Sequence, residues 1–432
     1  MFWEKEIETI DRDQLHKMQL ERLQATVEST SRSSYYRKLF KGKGIFPEDI
    51  KTLDDLTKLP LTTKDDLREE WPYGFLAVSK DEIVRMHSSS GTTGRATVIF
   101  HTQKDIDNWT NQLARCMYMA GMRKSDVFQN MMTYALFTGG LGFHYGAERL
   151  GALVIPAGPG NSKRQIQLMQ DFDTTCIHII PSYALHLTTV FEEVGVDPKQ
   201  DTRLRIAFIG AEPHSEKMRK RIEDFYGVKA FNSYGLSEMS GPGVAFECPE
   251  QNGLHIWEDA YIVEIIDPIT LQPVPDGEEG ELVMTTLNRD GMPILRYRTK
   301  DLTRIIPGVC PCGRTHRRIE RIKGRTDDMM ILKGVNIFPI QIEKKLMGIQ
   351  GVGNNFQIIL ERKGFNDDMI VKVEVQREYF TGDLKQLEAL RKTIVNELKS
   401  DLLITPRVDL VEPESLPQTE GKAKRVIDNR ED

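Results

Sequence analysis

From about residue 83 onward, short apolar runs alternate with longer amphipathic stretches, and no other feature constrains the fold so tightly. The runs fall at Val127-Phe128 and at residues 152–155, 176–180, 205–209 and 229–231; three of them stop at Pro156, Pro181 and Gly210. Runs of this length are strand-sized, and the stretches between them carry the period of a helix buried on one side. A parallel strand pair needs a crossover, so this alternation predicts βα units and a largely parallel sheet. Ligands of such sheets bind outside the carboxyl ends of the strands, and the polar motifs of this chain mostly follow its apolar runs.

The flanks read differently. Leu15, Met18, Leu23 and Val27 predict helix over residues 14–40, and Leu53, Leu56 and Leu59 lead to Pro60 and a helix start at Thr62-Thr63-Lys64-Asp65. Residues 261–266, 281–285 and 301–306 are strand-like, with turn chemistry at Pro275-Asp276-Gly277. Farther on, Met369, Val371, Val373 and Val375 alternate as in a half-buried strand. Leu384, Leu387, Leu390, Ile394 and Leu398 form one helical face, and residues 408–411 close with a strand. The expected fold is α/β: a large N-terminal domain over 1–326 with mostly parallel βα sheets and a β-rich subdomain at about 245–323. A small α+β domain follows over 327–432.

The 58 Lys and Arg against 64 Asp and Glu give a net charge of −6, so no general affinity for nucleic acid or an anionic membrane is expected. An anionic ligand must then be held by local basic groups and backbone N–H groups. No apolar run reaches membrane-spanning length. The start, acidic from Glu4, lacks the basic and apolar regions of a secretory signal, so the cytoplasm is the expected compartment. Five cysteines in 432 residues argue against a disulfide framework.

Five polar motifs carry chemistry. Ser88-Ser89-Ser90-Gly91-Thr92-Thr93-Gly94 is rich in small residues and hydroxyls, which lets backbone N–H groups approach phosphate oxygens. It lacks the Lys-Ser or Lys-Thr of a Walker loop, which makes a P-loop NTPase a poor reading. Asn232-Ser233-Tyr234-Gly235-Leu236-Ser237-Glu238 follows an apolar run and offers a carboxylate; Mg²⁺ keeps its waters and needs few protein oxygens. Tyr297-Arg298-Thr299-Lys300-Asp301 ends in an Asp able to accept two ribose hydroxyl protons. Gly324-Arg325-Thr326-Asp327-Asp328 and Thr419-Glu420-Gly421-Lys422 complete the set. Singly, each has a plainer explanation: a Ser/Gly turn, a solvated carboxylate, a surface ion pair, a mobile tail.

Two further groups stand apart. Tyr134, Phe137, Gly140 and Phe143 mix aromatic rings with glycine backbone and could wall a flat apolar slot; ordinary helix packing explains them equally well. Cys310-Pro311-Cys312 is a tight thiol pair, and Cys248 stands seven residues before His255. In a reducing cytosol this set fits a closed structural Zn²⁺ site of Cys248, His255, Cys310 and Cys312, with His316 as the rival fourth ligand and free thiols as the plain alternative.

In this order, the five motifs resemble those of the acyl-adenylate-forming superfamily. Ser237-Glu238-Met239-Ser240-Gly241-Pro242-Gly243, His255-Ile256-Trp257-Glu258-Asp259, Arg296-Tyr297-Arg298-Thr299 and Leu332-Lys333-Gly334-Val335-Asn336-Ile337-Phe338-Pro339 look like the phenylacetate–CoA ligase family, over essentially the whole chain. One departure is Arg95-Ala96-Thr97, where the family's loop usually continues Lys-Pro-Thr.

The resemblance implies ATP, Mg²⁺ and an aryl acid, usually phenylacetate, joined to coenzyme A through an acyl-AMP, and a homodimer. It implies phosphate contacts from Ser89, Ser90, Gly91, Thr92, Thr93 and Gly94, Mg²⁺ on Glu238, and Lys422 at the reacting carboxylate. Gly210, Ala211, Glu212, Pro213, Asn232, Ser233 and Tyr234 would flank adenine, with Gly235 also at the nucleotide; Asp301 and Arg325 would bind ribose. Asp327 would be the hinge of a mobile C-terminal lid that later presents Lys333 and Gly334 for the CoA step. ATP handling is shared across the superfamily, so an adenylating enzyme with another acceptor, such as one that adenylylates a deazaflavin, remains an alternative. So does a non-catalytic nucleotide-binding protein, against which Lys422 and Glu238 argue.

Overall fold

The computed structural model describes residues 1–89, 96–332, 335–363, 366–402, 404–417 and 424–430. They form two compact units: Met1–Gly158 with Thr175–His178 and Phe231–Arg321, and Pro159–Thr174 with Ile179–Ala230 and Ile322–Asp432.

After a short helix at Lys5–Glu8, the first unit has helices Arg12–Thr30 and Ser34–Lys43, where the sequence predicts one helical stretch. The break lies at Ser33, whose hydroxyl accepts the Tyr36 N–H at 3.3 Å and caps the second helix. Strands Ile83–Ser88 and Val98–Thr102 form an antiparallel hairpin that the sequence reading does not contain. It pairs Ser88 with Val98, the two sides of the Ser/Gly/Thr loop. The expected parallel sheet is present: Val127–Asn130 pairs in parallel with both Leu153–Ile155 and Cys176–Ile179. Helices Gln103–Met119 and Thr138–Leu150 pack together, and Gly146 permits the approach; a Cβ there would lie 2.6 Å from Leu113 Cβ.

Antiparallel pairing then takes over. Lys229–Leu236 pairs with Gly241–Glu247, followed by Leu254–Ile256, Arg318–Ile319 and Ile305–Ile306. A separate antiparallel sheet contains Tyr261–Ile266, Gly280–Thr286 and Tyr297–Thr303.

The second unit holds strand Ile206–Gly210 and helices Ser162–Asp171, Pro181–Val194 and Glu216–Tyr226. Its C-terminal part is α+β. Val352–Lys363 and Asn366–Val375 form an antiparallel pair, extended in parallel by Val426–Asn429 and Arg407–Val411. Helix Leu384–Leu402 buries Leu390, Ile394, Leu398 and Leu402, whereas Leu384, expected on that face, is 79% exposed. The apolar face begins after the first helical turn, where packing starts. The fold is thus α/β, and among the described residues no helix is long and apolar enough to cross a membrane.

Candidate active site and metal cluster

In the first unit the loop flanks close on each other. Thr97 donates its N–H to Ser89 Oγ at 3.1 Å, and Ser89 donates its own N–H to the Thr97 carbonyl at 3.0 Å. The Thr97 hydroxyl also lies 3.3 Å from Glu238 Oε1. Glu238, in the turn Ser237–Met239, is 5% exposed. Lys64 Nζ stands 3.8 Å from its carboxylate, and Arg289 Nη1 donates to its backbone carbonyl at 2.6 Å. Sequence reasoning missed both cations. Lys64 was visible only as part of a helix start, and nothing local ties either residue to Glu238.

Asp301, on strand Tyr297–Thr303, accepts the Tyr234 hydroxyl at 2.6 Å. The two expected nucleotide motifs therefore touch through side chains. Gly235 is dictated by chain crossing: a Cβ there would sit 2.1 Å from the Gly241 carbonyl oxygen. The Asn232 N–H is held by Glu247 at 2.8 Å, and Ser233 is buried.

In the second unit Ala211 takes a left-handed φ of 68°, which costs a residue with a Cβ about 1–2 kcal/mol. The turn aims Glu212 at helix Pro181–Val194, where its carboxylate accepts the Ser182 N–H at 2.6 Å. A negative charge is favourable at that helix end. Glu212 and Pro213 border a cavity of about 400 Å³ shared with Arg325, Asp327, Glu343 and Arg425. Arg325 and Asp327 form a two-pronged pair at 2.9 and 3.0 Å. Ser90, Gly91, Thr92, Thr93, Gly94, Lys333, Gly334 and Lys422 lie outside the described residues.

The aromatic group divides. The Tyr134 hydroxyl accepts from Asn130 Nδ2 at 3.0 Å and meets His144 Nδ1 at 3.2 Å, and burial pushes it up to about 12. Phe137 is 40% exposed at the start of helix Thr138–Leu150. Gly140 has no space for a Cβ, which would lie 2.6 Å from the Thr133 carbonyl oxygen. Phe143 is fully enclosed, its ring stacked 3.7 Å from that of His178. It packs the core and offers no free face to a ligand. Burial pushes His178 down to about 3, which keeps the imidazole neutral.

Cys248, His255, Cys310 and Cys312 place four donor atoms within 4.8 Å of one another. Cys248 Sγ and Cys310 Sγ are 3.6 Å apart, and Cys312 Sγ is 3.3 Å from His255 Nε2. Two thiolates on one tetrahedral Zn²⁺, with Zn–S bonds of about 2.3 Å, would be separated by about 3.7 Å. The hydrogen bond with Cys248, joined by one to His255, holds the Cys312 thiol down at about 2 against the effect of burial. His255 Nδ1 is engaged by the His316 carbonyl at 3.0 Å, which leaves Nε2 facing the sulfurs. His316 itself is committed elsewhere: Nδ1 accepts the Glu258 N–H at 2.9 Å and Nε2 donates to the Ile7 carbonyl at 2.9 Å. The set can therefore hold a thiophilic cation without rearrangement.

Comparison with known proteins adds the following. A sequence profile of AMP-binding enzymes matches residues 25–288, and one of the AMP-binding enzyme C-terminal domain matches residues 334–430. The phenylacetate-coenzyme A ligase of Aromatoleum evansii is 44% identical over 428 residues, covering 98% of this chain and 96% of that protein. A crystal structure of 2-hydroxyisobutyryl-CoA ligase in the postadenylation state, in complex with 2-HIB-AMP, is 32% identical. It covers 100% of this chain and 93% of that one, with a TM-score of 0.94. The same ligase with 2-HIB-AMP and CoA in the thioesterification state, also 32% identical with the same coverage, gives a TM-score of 0.74.

Proposed function

The chain belongs to the phenylacetate–CoA ligase family of AMP-binding enzymes, and on that premise we propose that it is an ATP-dependent acid–thiol ligase joining phenylacetate to coenzyme A. The observation that carries this reading is the reach of the similarity, 44% identity over 98% of the chain. It spans the ATP-handling motifs and the C-terminal domain alike.

A carboxylate is a poor acyl donor because oxide is a poor leaving group. In the first half-reaction its oxygen attacks the α-phosphorus of ATP; the bond to the β-phosphate oxygen breaks and pyrophosphate leaves. In the second, the sulfur of CoA attacks the acyl carbon, AMP leaves with its phosphate oxygen, and the thiol proton passes to solvent. The first step brings anions together, so charge neutralisation dominates its catalysis.

The residue roles follow from family membership. Ser89, Ser90, Gly91, Thr92, Thr93 and Gly94 cradle phosphates, and Lys422 neutralises the reacting carboxylate and α-phosphate. Asp301 and Arg325 take the ribose; Gly210, Ala211, Glu212, Pro213, Asn232, Ser233 and Tyr234 flank adenine, with Gly235 also at the nucleotide. Tyr134, Phe137 and Gly140 border the acid. Asp327 is the hinge between a domain over 1–326 and a lid over 327–432, and Lys333 and Gly334 serve the CoA step. Glu238 takes the Mg²⁺ that accompanies ATP. Its buried oxygen beside the Thr97 hydroxyl suits a hard cation, and Lys64, with a 38% exposed side chain, can move from carboxylate to phosphate. Cys248, His255, Cys310 and Cys312 hold a structural Zn²⁺. The protein is taken to work in the cytoplasm as a homodimer.

The test is AMP formation by purified protein with a panel of aryl and aliphatic acids, with and without CoA. Phenylacetate should give the highest kcat/KM, and turnover should require CoA. Acid-dependent pyrophosphate release that ignores CoA would instead assign another acceptor. No acid-dependent release at all would overturn the reading. Metal analysis, with Cys310→Ser as control, tests zinc.

A further inference from the structure

Glu343, on helix Pro339–Leu346 of the C-terminal α+β part, is 5% exposed. It reaches back to the strand–helix block of the same unit, where its Oε1 accepts the Ser215 N–H at 2.7 Å. Ser215 in turn caps helix Glu216–Tyr226 by accepting the Met218 N–H at 3.2 Å. Two longer contacts flank this one. Asn354 Nδ2 lies 3.4 Å from the Leu185 carbonyl and 3.3 Å from Thr188 Oγ1, and Arg221 Nη1 lies 3.4 and 3.3 Å from the carbonyls of Val352 and Gly353.

The central contact is poorly optimised for permanence. Burial pushes the Glu343 carboxyl up to about 7; the Ser215 N–H and Arg425 oppose that rise, while Glu212 adds to it. A buried carboxylate held by the N–H and hydroxyl of one serine, with no ion pair among the described residues, gains little more than its desolvation costs. Such a contact suits a surface that is made and broken in each cycle. The chain matches a relative in its postadenylation state with a TM-score of 0.94, and the same relative in its thioesterification state with 0.74.

We propose that Glu343, by accepting the Ser215 N–H, is the positioning contact that latches the C-terminal part in the adenylating arrangement and must be released before CoA can react. The inference rests on the two-step ligase reading given above.

Two substitutions should act in opposite directions. Glu343→Gln keeps an acceptor for Ser215 without a buried charge, so it should hold the latch and slow the consumption of preformed phenylacetyl-AMP by CoA severalfold. Glu343→Ala removes the acceptor. It should lower acid-dependent ATP–pyrophosphate exchange about tenfold, the effect of losing a hydrogen bond to a charged group, and leave the thioester step at least as fast. Hydrogen exchange on the full-length protein reads the latch without any activity. Glu343→Ala should expose the Ser215 amide, and Glu343→Gln should keep it protected. Unchanged protection in Glu343→Ala overturns the latch, whatever the activity. Equal loss of both half-reactions in both variants, with wild-type melting curves, also overturns it. Wild-type protein inactive with every acid sinks the ligase reading alone, because the exchange experiment still decides the contact.

Discussion

Glu238 and Glu343 are the same residue type at the same 5% exposure, yet their surroundings differ. Glu238 has the Lys64 ammonium at 3.8 Å, the Thr97 hydroxyl at 3.3 Å and a backbone carbonyl fixed by Arg289. Glu343 has the N–H and hydroxyl of Ser215, a cavity shared with Arg425 and Glu212, and a pKa displaced upward by burial to about 7. Burial alone therefore does not decide what a carboxyl can do; its neighbours do. Beside a hydroxyl and a partly exposed ammonium, the Glu238 carboxyl has the neighbours that suit a cation arriving with substrate. Where burial outweighs its few partners, as at Glu343, the ionised form is disfavoured, and the contact becomes reversible.

The contrast can be broken at several points. Lys422→Ala should have the largest effect, slowing acid-dependent pyrophosphate exchange by about 10³-fold while sparing the reaction of preformed adenylate with CoA. Equal loss in both steps would remove the division of labour on which the contrast depends. Glu238→Gln should lower exchange by about 10²-fold and raise the Mg²⁺ concentration needed, with Ser215 protection unchanged. If Mg²⁺ dependence stays the same, Glu238 is not the cation ligand. Thr97→Val, which removes only the hydroxyl beside Glu238, should cost about 1 kcal/mol, or severalfold in kcat/KM for MgATP.

The pH profile sharpens the other side. The buried Glu343 binds its proton more tightly than an exposed carboxyl, so the latched arrangement is favoured at low pH. It loses ground as pH rises from about 4.5 to about 7. Glu212 and Arg425 face this carboxyl, and Arg325, Asp327, Asp428 and Arg430 line the same cavity. Exchange of the Ser215 amide, corrected for intrinsic base catalysis, should quicken severalfold across that window in the wild type and stay flat in Glu343→Gln. The smallest effect on chemistry belongs to the thiol cluster. Cys312→Ser should abolish bound zinc and lower the melting temperature by several degrees, yet leave the ratio of the two half-reactions unchanged. A changed ratio would tie the cluster to the catalytic cycle.

Much of this was legible residue by residue. The runs ending at Pro181 and Gly210 are strands buried throughout, which leaves an unbroken apolar signature; the run ending at Pro156 is a half-exposed strand, with Leu153 56% exposed. Asp301 and the Tyr234 motif each stand in a short local pattern, and the structure joins them by a hydrogen bond of 2.6 Å. Other features left no such trace. The hairpin of Ile83–Ser88 and Val98–Thr102 lacks a tight-turn signal between its strands. Phe143 looked like a pocket wall because an aromatic ring in a glycine-rich stretch suits a slot and a core equally, and only the His178 ring beside it decided. Leu384 had the right helical spacing but no neighbour to pack against.

The order of the motifs, the strand–helix alternation and the supply of thiols were fixed by the chain itself, because these depend on spacing and side-chain chemistry. Tertiary structure decided which distant groups meet: Lys64 and Arg289 at Glu238, His255 rather than His316 among the sulfurs, Ser215 against Glu343. Such pairings carry no periodicity, since each is made when separate elements pack, and electrostatic character is set by whatever that packing brings within a few ångströms.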